Sequence, residues 1–262
     1  MTARVPKAHV VLRDRPVLDV LDLALRFVVT RGKPFALVSL VVVVPGWLAS
    51  AAIAREMGAA WGWLAALALA SIAQTPVTLL ASRLVFEEET SVRDVLGASA
   101  RLLPLVLVLR VVQAAALTIA YSMLLLPGIW ASAVFVFGPE ILILERGGLR
   151  ATLSRAQRMS SVAFTDAIFA DIVLGILLVA SILLGEWVGR AIAGDVLQFR
   201  LPPGLFDQGI SDFALLGMWL TLPYRTTARL FVYLNVRTRT EGWDIQTRFA
   251  AIAARAASEA EA

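Results

Sequence analysis

The chain has no cysteine, one histidine and two lysines among its 262 residues. Without cysteine there are no disulfides, thiolate metal sites or thiol nucleophiles. The one histidine, His9, lies in a charged N-terminal stretch, which excludes histidine-based catalytic triads and His-cluster metal sites. There is no phosphate-cradling glycine loop, metal-ligand spacing or nucleophile signature. Glu87-Glu88-Glu89 is an acidic run in a connection, and adjacent loop carboxylates are usually just solvated. The sequence therefore predicts no enzymatic activity and no cofactor. Charge is also scarce: 17% of residues, against about 25% in a soluble domain.

Apolar residues take the place of charge. They make up 59% of the chain, against about 45–50% in a soluble domain, and mean hydropathy is +0.77. Several apolar runs are near twenty residues long, enough to cross a hydrocarbon core of roughly 30 Å at about 1.5 Å per residue. The expected fold class is all-α: a polytopic integral membrane protein with six transmembrane helices plus in-plane amphipathic helices at the cytoplasmic face. The net charge of +4 fits anionic lipid at an inner membrane surface and not nucleic acid.

In chain order, residues 1–33 form a basic tail and an interfacial helix. In that helix Val17, Leu18, Leu21, Leu25 and Val28 recur at three and four, with Asp19, Asp22 and Arg26 on other faces. Residues 34–232 form the transmembrane domain. Span 1 runs from about Phe35 to Ile53 and is read as retained, although Ala49-Ser50-Ala51 resembles a signal-peptide cleavage site. Span 2 ends near Leu84, and span 3 runs from Leu102 to Tyr121. Span 4 covers roughly Ile129 to Leu144 and span 5 about Ala163 to Leu184. A longer loop with Trp187, Arg190 and Asp195 follows. Span 6 is placed at Ile210–Val232, kinked at Pro223. Residues 233–262 form a cytoplasmic helix and tail.

With the N-terminus inside, twenty of the 24 basic residues fall in inner segments, while Arg55, Arg190 and Arg200 fall outside. The positive-inside rule therefore puts both ends in the cytoplasm of a bacterial inner membrane. Arg26, Arg31, Lys33, Arg146, Arg150, Arg155 and Arg158 are the residues expected to meet anionic headgroups. A leucine five residues before Arg26, Arg101 and Arg158 suggests three units, each an in-plane helix followed by a two-span hairpin.

Arg110, in the middle of span 3, needs a partner, because an arginine at membrane depth costs about 2.5–17 kcal/mol depending on the measure. Ser71, Gln74, Thr75, Thr78 and Ser82 make one stripe on span 2. Arg110 and Gln113 share a face of span 3, and Thr221, Arg225, Arg229 and Tyr233 recur every four residues on span 6. By helix rise, Gln74, Arg110 and Asp171 all lie roughly 12–14 Å from the inner boundary, with Glu140 and Arg225 somewhat shallower. The expected site is a buried polar network of Arg110, Asp171, Glu140, Arg225, Gln74 and Gln113. Either it locks the bundle, or it lines a cytoplasm-facing cavity that binds an anion or relays protons.

Pro223, Ala228, Leu230, Tyr233, Val236-Arg237 and Glu241-Gly242-Trp243-Asp244-Ile245 form a closing pattern. It resembles that of a bacterial membrane-domain family named after the membrane domain attached to some glycerophosphodiester phosphodiesterases. Leu126-Pro127-Gly128-Ile129-Trp130 and the segment from Glu145 to Arg158, with Ala151 and Ser154, are similar to the same family. The resemblance implies a six-span helical domain with in-plane helices. The phosphodiesterase activity belongs to a separate soluble barrel with histidines and metal-binding carboxylates, for which this chain has neither the length nor the histidines.

The leading expectation is a non-enzymatic scaffold or accessory subunit, engaging membrane lipids, a protein partner or a second copy through its basic inner surface and C-terminal helix. The alternative is a small transporter or channel with a cytoplasm-facing cavity around Arg110. A lipid-modifying enzyme without histidine or cysteine is a weaker third.

Overall fold

The structure, a computed structural model, describes residues 16–241 except 88, 89 and 146. The basic tail with His9, Glu88, Glu89, Arg146 and the segment from Gly242 onward, including the end of the closing pattern, lie outside the described residues.

Every regular element among the described residues is helical. The order is α1 (Val17–Thr30), α2 (Gly32–Met57), α3 (Ala59–Phe86), α4 (Val92–Met123), α5 (Leu125–Phe135), α6 (Gly138–Glu145), α7 (Leu149–Val162) and α8 (Phe164–Arg190). A π-helical turn (Ala191–Val196) continues α8, and α9 (Leu205–Gln208), α10 (Asp212–Leu220) and α11 (Leu222–Glu241) follow. Five stretches are long and apolar enough to cross a membrane: α2, α3, α4, Leu125–Glu145 and Phe164–Val196. Leu40 and Val44 on α2, Val108 and Val111 on α4, and Ile172, Ile176 and Val179 on α8 face outward. Long apolar helices with large apolar side chains outward are the build of a multi-pass membrane protein.

The turns follow from local chemistry. α2 and α3 are joined by Gly58 alone, at φ +93°, a backbone conformation that a side chain would oppose. α4 and α5 meet at the extended Leu124, and Gly128 lies so close to the Tyr121 ring that a Cβ would sit 2.2 Å from it. The Tyr121 and Ser132 hydroxyls then bond across the hairpin at 2.9 Å.

Two elements are broken by proline. Pro139 has no N–H to donate to Phe135 four residues earlier, and the helix is interrupted between α5 and α6. Pro223 likewise follows the break at Thr221 between α10 and α11. The expected sixth span thus becomes two helices, neither of which reaches the length and hydropathy of the other five. The reason is position: α11 packs against α1, α3, α7 and α8, and Thr226, Thr227, Ala228 and residues 230–236 are buried. A helix covered by other helices needs no apolar exterior.

Some expectations change. The segment before Arg101 is continuous with span 3 in α4, so the second of the three expected units has no separate in-plane helix. Trp187 and Arg190 belong to α8, not to a loop, because the helix continues past Leu184 through the π turn. In α1 the buried face is Val17, Val20, Leu21, Ala24 and Phe27, set against α11; Leu18 and Leu25 lie exposed beside it. Gly185 and Gly189 are the seat of α10. A Cβ at Gly185 would lie 2.5 Å from the Gly217 Cα, and one at Gly189 2.6 Å from the Phe213 ring.

Candidate functional site: a polar layer between two broken helices

Gln74 on α3, Arg110 and Gln113 on α4, Glu140 on α6, and Arg225 and Arg229 on α11 meet at the height of the two helix breaks. Arg110 donates through Nη2 to Gln74 Oε1 at 2.7 Å and through Nη1 to Gln113 Oε1 at 2.9 Å. Gln74 Oε1 also accepts from Arg229 Nη2 at 2.9 Å, so one amide oxygen bridges two guanidinium groups. Arg229 Nε donates to Glu140 Oε1 at 2.6 Å, an ion pair whose carboxylate is fully buried.

Each helix break is tied into the layer. The Phe135 carbonyl, which loses its usual partner to Pro139, accepts from Gln113 Nε2 at 3.4 Å. On the other side Arg225 donates to the Met218 carbonyl at 3.0 Å and to Thr221 Oγ1 at 3.3 Å, both at the α10–α11 break. Irregular backbone at membrane depth survives only when buried in protein or facing a polar cavity, and here side chains from neighbouring helices cap it.

Beside the layer lies a cavity of about 300 Å³, walled by α4, α5, α8 and α11. Gln113, Ser132, Asp171, Arg225 and Arg229 provide its polar lining, with Leu117, Leu174 and Leu178 between them. A smaller pocket of about 60 Å³ is lined by Gln74, Leu174, Leu222, Arg225, Thr226 and Arg229.

The sequence-predicted residues are therefore largely brought together. Gln74, Arg110 and Gln113 are directly bonded, and Glu140 joins through Arg229. Arg225 bonds only neutral oxygens, and Asp171 lines the cavity without an ion pair among the described residues. Arg229 is the member that the sequence reading missed as a network residue. It belongs to the Arg225–Arg229–Tyr233 stripe but was not among the expected network residues. Its inclusion changes the charge count from two against two to three arginines against two carboxylates.

The other basic residues distribute as follows. Arg26 pairs with Asp22 at 2.9 Å on an exposed face, and Arg150 and Arg158 are exposed on α7. Arg31 and Lys33, with Arg93, line a recess of about 820 Å³ where the α1–α2 joint meets the start of α4. Arg155 is drawn inward to Glu145 at 2.6 Å, and Glu145 also accepts from the Tyr233 hydroxyl at 2.9 Å. This cluster anchors α7 to α11.

A second buried acid escaped the sequence reading. Glu186, 2% exposed in the last turns of α8, accepts from the Leu205 N–H at 2.9 Å and from the Ser211 hydroxyl, and lies 3.7 Å from Arg190. It holds the Leu197–Ser211 connection down over the α9 end of the bundle. Arg55 and Trp47 add to the hold, at 2.5 Å from Asp212 Oδ2 and 2.9 Å from its carbonyl. A glutamate between two glycines at the end of an apolar span was the available signal. Glu186→Leu leaves the Leu205 N–H unbonded at a buried site, an effect of about 1–3 kcal/mol. Amide exchange in residues 203–211 is expected to rise sharply while exchange in α3 and α11 stays unchanged; unchanged protection in that connection would contradict the role.

Among the described residues no three His, Cys, Asp or Glu side chains gather as a metal site would need. No family model, curated protein or solved structure matches the chain.

Proposed function

We propose that this chain is a six-span protein of a bacterial inner membrane, both ends cytoplasmic, that binds an anionic group in the cavity beside Arg110 and serves its transport. Of the two main readings of the sequence, this is the one that the geometry favours. The observation that carries it is Arg225. It lines the cavity and bonds only the Met218 carbonyl and the Thr221 hydroxyl, while Arg229 has the Glu140 carboxylate. A guanidinium at membrane depth is costly without a counter-charge, and with Arg229 counted the layer holds one more cation than it has carboxylates. An anion bound between Arg225, Arg229 and Gln113 neutralises that excess and gains forked, charge-assisted bonds.

The two roles expected of the layer divide between its parts. Glu140, Arg229 and Gln74 lock α3, α6 and α11 together; Arg225, Gln113 and Asp171 face the cavity. Anionic headgroups at Arg150, Arg158 and Lys33 are the proposed surface partners. Membership of the phosphodiesterase-associated membrane-domain family is proposed on the same footing. Its motif residues Gly128, Ala228, Leu230 and Tyr233 are all buried at helix contacts.

The test is equilibrium binding and flux of labelled inorganic phosphate and chloride in proteoliposomes, wild type against Arg225→Gln. Saturable binding of one of them, weakened about tenfold or more by the substitution, is expected for the loss of one charge-assisted contact. Binding that is absent, or that ignores Arg225→Gln, overturns the reading.

A further inference from the structure

We propose that the ligand is zwitterionic, a phosphate carrying a nearby ammonium as in the headgroup of an amino-phospholipid, and that it enters from the membrane side between α4 and α8. The inference rests on the anion-binding reading above and names its ligand class. A simple anion leaves one feature unexplained. Asp171 lines the same cavity as Arg225 and Arg229, makes no ion pair among the described residues, and finds nothing to pair with in a purely anionic guest. Opposite charges on facing helices, α8 and α11, instead fit a guest with both signs. The arginines offer planar N–H forks suited to phosphate, and the carboxylate offers acceptors suited to an ammonium with three donors.

The mouth of the cavity faces sideways. Asp171 and Gly175, one helical turn apart, are exposed on the flank of α8 next to Ile172 and Ile176, which face outward at the same height. α8 packs on α5 but scarcely meets α4, leaving a gap beside Gln113 and Leu117. A Cβ built on Gly175 would meet nothing within 4 Å, so the absent side chain is part of the opening. An aspartate exposed at the centre of a span costs about 2.5–3.5 kcal/mol by insertion measurements, and a cationic partner arriving from the bilayer removes that penalty.

Size and lining agree. A cavity of about 300 Å³ is at the small end of ligand pockets, about 300–1,000 Å³. It has room for a headgroup but not for acyl chains, which would have to stay in the bilayer, and that requires the lateral mouth. Leu117, Leu174 and Leu178 supply the apolar surface where headgroup gives way to glycerol and chain.

The experiment uses the full chain in phosphatidylcholine nanodiscs doped with equal amounts of phosphatidylethanolamine and phosphatidylglycerol, with retained lipid counted by native mass spectrometry. Inorganic phosphate and soluble O-phosphoethanolamine binding are measured in parallel. Wild type is expected to retain phosphatidylethanolamine over phosphatidylglycerol. Asp171→Asn is expected to lower that preference about tenfold, towards parity, while keeping inorganic phosphate binding. Gly175→Leu, whose Cβ meets no atom within 4 Å, is expected to lose the retained lipid with its melting temperature unchanged. No phosphatidylethanolamine preference in wild type, with phosphate still bound, overturns the zwitterion inference and leaves the anion reading standing. Soluble phosphoethanolamine binding without lipid retention overturns entry from the membrane. If neither phosphate nor lipid binds, both readings fall.

Discussion

Gly217→Leu is expected to abolish the folded bundle. Gly217 on α10 and Gly185 on α8 put backbone against backbone: a Cβ at Gly217 would lie 2.1 Å from the Ser181 carbonyl oxygen and 2.8 Å from the Gly185 Cα. Neither atom belongs to a flexible side chain, so the helices must separate. Without water in the hydrocarbon, close approach of small residues is a main source of helix association, and separation forfeits it along the whole interface. The damage spreads, because α10 also seats the fully buried Trp219 against Gly46, where a Cβ would sit 2.1 Å from the indole. The control lies on the same helix as Gly185. Gly175→Leu starts from a position where an added Cβ meets no atom within 4 Å. Size-exclusion profiles and melting curves in mild detergent should show aggregation for Gly217→Leu and a wild-type profile for Gly175→Leu. Equal behaviour of the two would contradict the packing.

The second large effect belongs to the Glu140–Arg229 pair. Removing either partner alone leaves a buried charge, and such changes cost about 3–5 kcal/mol. Glu140→Leu and Arg229→Met are each expected to fall in that range. The double substitution is expected to recover most of the loss, because two apolar side chains replace two charges that no longer need solvation. Glu140 strengthens this expectation: its Oε2 is buried without a hydrogen-bond donor, so the pair is incompletely satisfied even in the native bundle. Stabilities measured by titrated unfolding in mixed micelles close the cycle. If the double variant lost the sum of the two single losses, the two side chains would not be partners.

How far the sequence carried this account depends on which physical rule applied. Spacing placed Arg110 and Gln113 on one face of α4, and counting rise per residue placed Gln74 at the same depth; both are bonded to Arg110. Those inferences hold because α3 and α4 are continuous through the layer. The rule failed for Arg229, which shares the Arg225 stripe but was left out of the expected network. Burial in fact continues through Val236, since α1, α3 and α7 cover α11. Hydropathy reports contact with lipid, so it finds α2 and misses a polar helix sheathed by protein. The two prolines were legible as kinks, but their consequence was not. Which carbonyl each break frees, and that Gln113 and Arg225 would bond beside those breaks, depends on tertiary neighbours. Glu186 lies in the same class, since its partners Leu205 and Ser211 come from a connection with no periodic pattern.

The central claim is that the excess arginine of the layer holds an anion. The most direct test is a density map of the protein in nanodiscs with bromide as a scattering anion. The account predicts a bromide peak inside the cavity, within hydrogen-bonding distance of Arg225 and beside Arg229 and Gln113, that disappears in Arg225→Gln. Bromide confined to the surface arginines of α7, with the cavity closed by side chains moving together, would contradict it.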